Sequence, residues 1–190
     1  MKKKLTAIDL FSGAGGLHLG FEESGYDVKL CIDNNDLVEK THKRNFPHIP
    51  MINGDIRDVT ADQIREYLDG ESLDVIIGGP PCQGFSTIGH RASSDPNKRY
   101  AHDARNELVL VYANLIKELR PKFIVMENVK GMLTLDKGAY LENVMKTLHE
   151  AGYNAEYRLI NMADYGVPEI RNRVIIIGNR VGLPVAFPNP

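Results

Sequence analysis

The sequence predicts a doubly wound α/β fold built on a mostly parallel sheet, and three observations predict it. Short apolar runs alternate with longer amphipathic ones along the chain, which is the pattern of βαβ units. A glycine-rich turn, Phe11-Ser12-Gly13-Ala14-Gly15-Gly16, follows the first apolar run and opens a helix. Such a turn is where a parallel strand hands the chain to a helix whose N-terminus faces a ligand. The chain then closes on two further strand-like stretches, the first alternating and the second apolar.

The elements follow in order. Residues 5–11 are the first strand, an apolar run interrupted only by Thr6 and Asp9. Residues 15–24 leave the glycine turn as a helix. A strand over 28–32 and a helix over 34–44 come next, then a short strand at 49–52 and a helix near 61–68. Residues 74–77 are a buried strand that ends in Gly78-Gly79-Pro80-Pro81. Residues 105–119 read as a helix because Leu108, Val111, Tyr112, Leu115 and Leu119 fall on one side. Residues 123–126 are the fifth strand, and 140–150 a helix that stops before Gly152. Residues 153–161 alternate in the manner of an exposed edge strand, and 174–178 form the last apolar strand. No internal repeat or low-complexity segment interrupts this order.

Composition narrows the class. A chain of 190 residues with 43% apolar residues can bury one real core, so one domain is expected over residues 1–180. The proline-rich stretch from 181 to 190 is expected to start a linker. No apolar run approaches a membrane span, and the basic start leads into a strand and a glycine turn rather than a signal peptide. Two cysteines argue against a disulfide framework and for a reducing, cytoplasmic setting. Six histidines lack zinc spacing, so no metal is expected, and Cys31 reads as core. The net charge of −2 is weak for a chain that holds nucleic acid alone. Arg91, Lys98, Arg99 and Arg105, however, make a local basic stretch.

Two regions carry chemistry. In the first, Cys82 sits after a double proline at a strand end. Each proline fixes φ and biases the residue before it towards an extended backbone. A thiol on so stiff a stalk suits a nucleophile. The polar loop that follows, residues 83–103, has the length of a lid, with Gly84 and Gly89 as hinges. In the second region, Asp33 ends the second strand, where a carboxylate can accept from both ribose hydroxyls, and Asp55 follows the third, where it can accept from an adenine amine. Together with the glycine turn these form one crevice at the carboxyl ends of three strands. The dinucleotide fingerprint fails, because His18 stands at its third glycine.

Phe11-Ser-Gly-Ala-Gly-Gly, Pro80-Pro81-Cys82-Gln83, Glu127-Asn128-Val129 and Arg171-Asn172-Arg173 come in the order seen in cytosine-5 DNA methyltransferases. The chain resembles that family from about Leu5 to Gly178. The resemblance implies an S-adenosyl-L-methionine-dependent, Rossmann-like fold with an antiparallel strand near the C-terminus. It implies methyl transfer to carbon 5 of cytosine in double-stranded DNA, on a base flipped out of the helix. Cys82 would add to carbon 6, its thiol being soft and close to neutrality at a reference pKa of ~8.5. Glu127, kept protonated in a dry pocket, would donate to the ring N3. Arg173 would hold the carbonyl oxygen, with Arg171 nearby on a phosphate or the loop. Asp9, Phe11, Ser12, Gly13, Ala14, Gly15 and Gly16 would surround the methionine part and ring of the cofactor. Asp33 would take the ribose, Asn34 would lie against the adenine between Asp55 and Ile56, and Pro81 and Leu108 would complete the wall. Gln83, Ser86, Arg91, Arg99 and Arg105 would meet DNA.

Two departures stand out. Glu169 replaces the family's usual glutamine; it can pair with Arg171 or a lid arginine. The family's target-recognition domain and final helix are absent, which predicts a second polypeptide or a missing C-terminal segment. Three rivals remain: a tRNA cytosine-5 methyltransferase, a non-catalytic methyltransferase-like subunit, and a dinucleotide oxidoreductase.

Overall fold

The computed structural model describes residues 3–81 and 107–190. Its centre is a sheet of seven strands in the order β3-β2-β1-β4-β5-β7-β6. The strands are β1 (Thr6–Leu10), β2 (Asp27–Asp33), β3 (Met51–Asn53), β4 (Val75–Gly78), β5 (Phe123–Val129), β6 (Asn154–Asn161) and β7 (Asn172–Asn179). The first five pair in parallel; β7 runs antiparallel between β5 and β6. This is the doubly wound, mostly parallel α/β sheet with antiparallel C-terminal strands that the sequence predicts.

Helices α1 (Gly16–Glu23), α2 (Asp36–Asn45), α3 (Ala61–Glu66), α4 (Glu107–Leu119) and α5 (Ala139–Glu150) divide between the two faces. Alternation along β1 sends Ile8 and Leu10 to one face and Ala7 to the other. On the first face, Ile64, Val109, Tyr112, Ile116, Val144 and Leu148 from α3, α4 and α5 pack on the sheet. On the second, Phe46 and Ile49 beside α2, and Leu17 and Phe21 of α1, cover Ala7, Val28, Cys31, Val75 and Ile77. Cys31 is fully buried, as expected of a core residue.

The sheet is pinned at its lower end by Asp74. Its carboxylate accepts from Thr6 N–H at 2.8 Å and from Lys122 Nζ at 2.6 Å. Burial pushes the Asp74 carboxyl up, but the Lys122 and Thr6 hydrogen bonds outweigh it and hold the group below its ordinary value.

Coverage is uneven. β5 buries Ile124, Met126 and Asn128 under the first face, while Phe123, Val125, Glu127 and Val129 stay half-buried on the second. β7 does the same with Arg173, Ile175 and Ile177. β6 is the edge strand, with only Ala155 buried. Residues 181–190 have no regular structure but lie back on the domain. Phe187 is buried under Arg158, whose guanidinium sits 4.5 Å from the ring centroid, and the Pro188 carbonyl accepts from Tyr165. Among the described residues, no helix is long and apolar enough to cross a membrane.

Candidate active site

Strand order reverses between β1 and β4, and the upper ends of these strands open the crevice that such a switch point creates. β1 leaves the sheet at Phe11, whose φ of 63° is the left-handed backbone that aromatic residues seldom adopt. Such strain costs about 1–3 kcal/mol and collects at ligand sites. The turn is then tied to β2, because Ser12 N–H donates to the Ile32 carbonyl at 3.0 Å. Gly13 N–H donates to Asp33 Oδ2 at 2.9 Å, and the other carboxylate oxygen accepts from Asn35 N–H at 3.1 Å. Gly78 ends β4 where a Cβ would stand 2.4 Å from the Leu10 carbonyl oxygen, so only glycine lets the two strands part there.

A crevice of about 400 Å³ lies over β1, β2 and β3, lined by Phe11, Asp33, Asn34, Asp55, Ile56, Pro81 and Leu108 among others. Seven of the expected cofactor residues therefore share one wall. Gly54, Gly79, Asn35, Val38 and Arg57 join them, and the sequence reading missed these. Arg57 was the most legible of them, being a cation two residues after an expected acceptor. It donates Nε–H to Asp55 Oδ1 at 2.9 Å and also reaches Oδ2. These side-chain hydrogen bonds, with the Arg57 N–H, lower the Asp55 pKa to about 2.

Ser12, Gly13 and Gly16 line a second cavity of about 770 Å³, which Phe11 and Gly79 connect to the first. Ser12 Oγ is buried there without a hydrogen-bond partner. Glu127, Arg171, Arg173, Val125, Ile175 and Ile177 form its far side. Arg173 is paired with Val129 and Glu127 with Ile175, so the two charged side chains are diagonal neighbours on one face. Arg173 Nε stands 2.5 Å from Glu127 Oε1, in ionic contact, although its N–H finds no hydrogen-bond partner. The Glu127 side chain is 29% exposed, so the dry pocket expected around it is open on this side. Arg171 reaches Glu169 across 3.7 Å at the surface, one of the two pairings expected of that departure. Buried Asn128 donates to the Pro80 carbonyl at 3.4 Å, tethering the double-proline stalk to β5.

Three expected cofactor residues lie elsewhere. The Asp9 carboxylate is fully buried and turned away from both cavities, 3.1 Å from His18 Nδ1. It sits on the second face because Ile8 and Leu10 take the first. Gly15 packs beneath the turn against Phe46 and His18, and Ala14 is exposed. Neither lines either of these two cavities. Cys82, Gln83, Ser86, Arg91, Arg99 and Arg105, and the expected lid over 83–103, lie outside the described residues. Burial pushes the thiol of Cys31 well up, so it is no free nucleophile for the methyl-transfer site.

A mostly parallel sheet with an inserted antiparallel strand, a glycine turn over two carboxylates and a glutamate–arginine pair define a Rossmann-like methyltransferase domain. The family model for C-5 cytosine-specific DNA methylase matches residues 5–190, and the chain belongs to that family. It is 43% identical over 188 residues to Type II methyltransferase M.XorII of Xanthomonas oryzae pv. oryzae, covering 96% of this chain and 42% of that protein. It is 40% identical over 200 residues to Type II methyltransferase M.AquIA of Picosynechococcus sp., covering all of this chain and 77% of that one. Of the solved structures, one described as a prophage-encoded DNA modification methyltransferase of E. coli superposes with a TM-score of 0.81 at 32% identity. The match covers 96% of this chain and 49% of that one. A mutant DNMT2 of Spodoptera frugiperda gives 0.75 at 27% identity, over 98% of this chain and 53% of that one. The chain spans about half the length, or less, of most of these relatives.

Proposed function

We propose that this chain is the S-adenosylmethionine-binding, catalytic portion of an enzyme that methylates carbon 5 of cytosine in duplex DNA. The observation that carries the reading is the Glu127–Arg173 pair, which faces a cavity continuous with the carboxylate-lined crevice. The crevice fits the cofactor. Asp33 keeps lone pairs for two ribose hydroxyls, and apolar groups of Phe11, Ile56, Pro81 and Leu108 suit the faces of a base. Ser12 Oγ is a polar atom still in need of a partner on the methionine side. When bound, S-adenosylmethionine supplies an electrophilic methyl group on a sulfonium.

The residues do the rest. In sequence Cys82 directly follows Pro81, which lines the crevice. Its thiolate adds to carbon 6 of an extruded cytosine, forming a carbon–sulfur bond and making carbon 5 nucleophilic. Glu127 bonds the ring N3 and exocyclic amine, and Arg173 meets the carbonyl oxygen as charge grows there. Loss of the carbon-5 proton to a base then lets Cys82 leave by elimination. Target recognition comes from a second polypeptide or a C-terminal continuation. The greater length of the relatives supports this, as do the exposed apolar side chains of the β6–β7 region, Ile170 at 83% among them.

The test is methyl transfer to duplex DNA by the chain together with that second part, with tRNA assayed beside it. Cys82→Ser is expected to lower transfer by on the order of 10⁴-fold and to abolish the covalent product on 5-fluorocytosine DNA. Transfer unchanged in Cys82→Ser overturns the mechanism, and transfer to tRNA alone overturns the substrate. Full site-specific activity of the isolated chain overturns the need for a second part.

A further inference from the structure

Beneath the glycine turn lies a group of polar side chains that methyl transfer leaves unused. His18 on α1, Cys31 on β2 and His42 on α2 have 0%, 0% and 1% of their surface exposed. Cys31 Sγ and one ring nitrogen from each histidine all lie within 4.8 Å of one another. The Cys31 Sγ to His18 Nδ1 distance is 3.3 Å. Ligands around a tetrahedral zinc ion stand roughly 3.3–3.6 Å apart, given bonds of ~2.0–2.3 Å. The Sγ to Nδ1 separation therefore already matches one edge of such a coordination shell.

The hydrogen bonds point the same way. His18 Nδ1 is held 3.1 Å from Asp9 Oδ2, and its Nε2 has no partner. His42 Nε2 is held 2.9 Å from the Ile49 carbonyl oxygen, and its Nδ1 has no partner. A carbonyl on Nε2 of His42, with Nδ1 left free, is how ligating imidazoles are oriented; on His18 the nitrogen facing Cys31 is Nδ1, so an ion there would take the place of its contact with Asp9. Asp9 Oδ1 is also buried without a partner. Buried polar atoms without partners are each costly, and Asp9, His18 and His42 each carry one.

We propose that His18, Cys31 and His42 form a buried structural site for a borderline divalent ion of the zinc class. A nitrogen–sulfur donor set selects such an ion over calcium or magnesium. Its two positive charges match one thiolate and the Asp9 carboxylate, so the buried group stays neutral. The ion ties together α1, which opens at the glycine turn, β2, which ends in Asp33, and α2, which starts after Asn35. It thus clamps the cofactor side of the sheet and takes no part in methyl transfer. Sequence spacing does not show it, because only the βα crossovers bring these three residues together.

The test uses the purified chain in a Cys82→Ser background, where Cys31 is the one remaining thiol. Metal analysis is expected to find about one zinc per chain. Chelation is expected to lower Tm by roughly 5 °C or more, and added zinc to restore it. Cobalt in place of zinc is expected to show tetrahedral bands with a thiolate charge-transfer band. Cys31→Ala and His42→Gln, made separately, are expected to lose both the metal and the response of Tm to zinc. A metal-free chain whose Tm ignores chelator and added zinc overturns the proposal, leaving an Asp9–His18 contact in a packed core. Uptake that persists in Cys31→Ala also overturns it, placing the ion on other histidines. None of these readouts depends on methyl transfer, so this proposal and the enzymatic one fail separately.

Discussion

The two halves of the crevice are built by different means. Over β1, β2 and β3 the backbone does the positioning. Ser12 and Gly13 are hydrogen-bonded to β2 and its terminal Asp33, Gly54 N–H donates to the Asp33 carbonyl, and helices cover both faces below. Over β5, β7 and β6 the placement falls to long side chains on a half-covered face, where Glu127 and Arg173 are held mainly by each other. A cofactor common to a family can be met by local backbone geometry. The nucleic-acid substrate proposed above would need more surface than β6 and the exposed Ile170 region supply.

That contrast predicts effects that separate by half. Glu127→Gln keeps the shape and removes the charge. Methyl transfer is expected to fall by roughly 10²–10⁴-fold. The Kd for S-adenosylmethionine, measured by calorimetry on the same protein, is expected to change less than about twofold, since no expected cofactor contact is touched. A large loss of cofactor affinity here would break the division into halves. Asp33→Ala is the converse. It removes the acceptor of Gly13 and Asn35 N–H as well as the expected ribose ligand, so Kd is expected to rise roughly 10–100-fold. At saturating cofactor, transfer is expected to recover most of its rate.

The seam between the halves is Asn128. Its side chain accepts from Val129 N–H at 2.8 Å and donates to the Pro80 carbonyl beneath the stalk that carries Cys82. Asn128→Ala leaves buried polar groups unpaired and is expected to cost about 1–3 kcal/mol in denaturant unfolding. Transfer is expected to drop roughly tenfold through misplacement of the stalk, with cofactor Kd unmoved. An unchanged transfer rate would mean that the prolines alone hold the stalk.

The same division explains what could be read from the sequence. Apolar periodicity and the glycine turn are local signals, and they placed every strand of the sheet, the edge position of β6 included. Strand ends were less legible where polarity masks pairing. β5 runs on through Glu127 to Val129, and β7 begins at Asn172, because Glu127, Asn128 and Arg173 pair across the β5–β7 ladder and Asn172 pairs with Asn161. Seven crevice residues came from motif order. Asp9 was misplaced because its partner, His18, comes from a helix that folds back over the turn, and no spacing rule reports that contact. The left-handed backbone at Phe11 is equally silent in sequence, since nothing about phenylalanine suggests it.

The smallest expected effect lies at the rim of the cofactor half, where Arg57 holds Asp55. The Asp55 carboxyl has a pKa of about 2 against an ordinary 3.8, because the Arg57 side chain and N–H favour its charged form. A folded-state pKa below the unfolded one gives stability that is present above about pH 4 and is lost as pH falls towards about 2. The pair is largely open to solvent, so its contribution is expected to stay below about 1 kcal/mol. Urea unfolding of the native chain and of Arg57→Met, compared from pH 6 downwards, is expected to differ by a constant amount near neutrality. That difference is expected to shrink through the window between about pH 4 and pH 2. A difference that persists at the acid end would assign the role of Arg57 to packing against the crevice wall rather than to its charge. In that case the rim of the cofactor half would be held by the same side-chain contacts as the substrate half, and the contrast would be confined to the glycine turn.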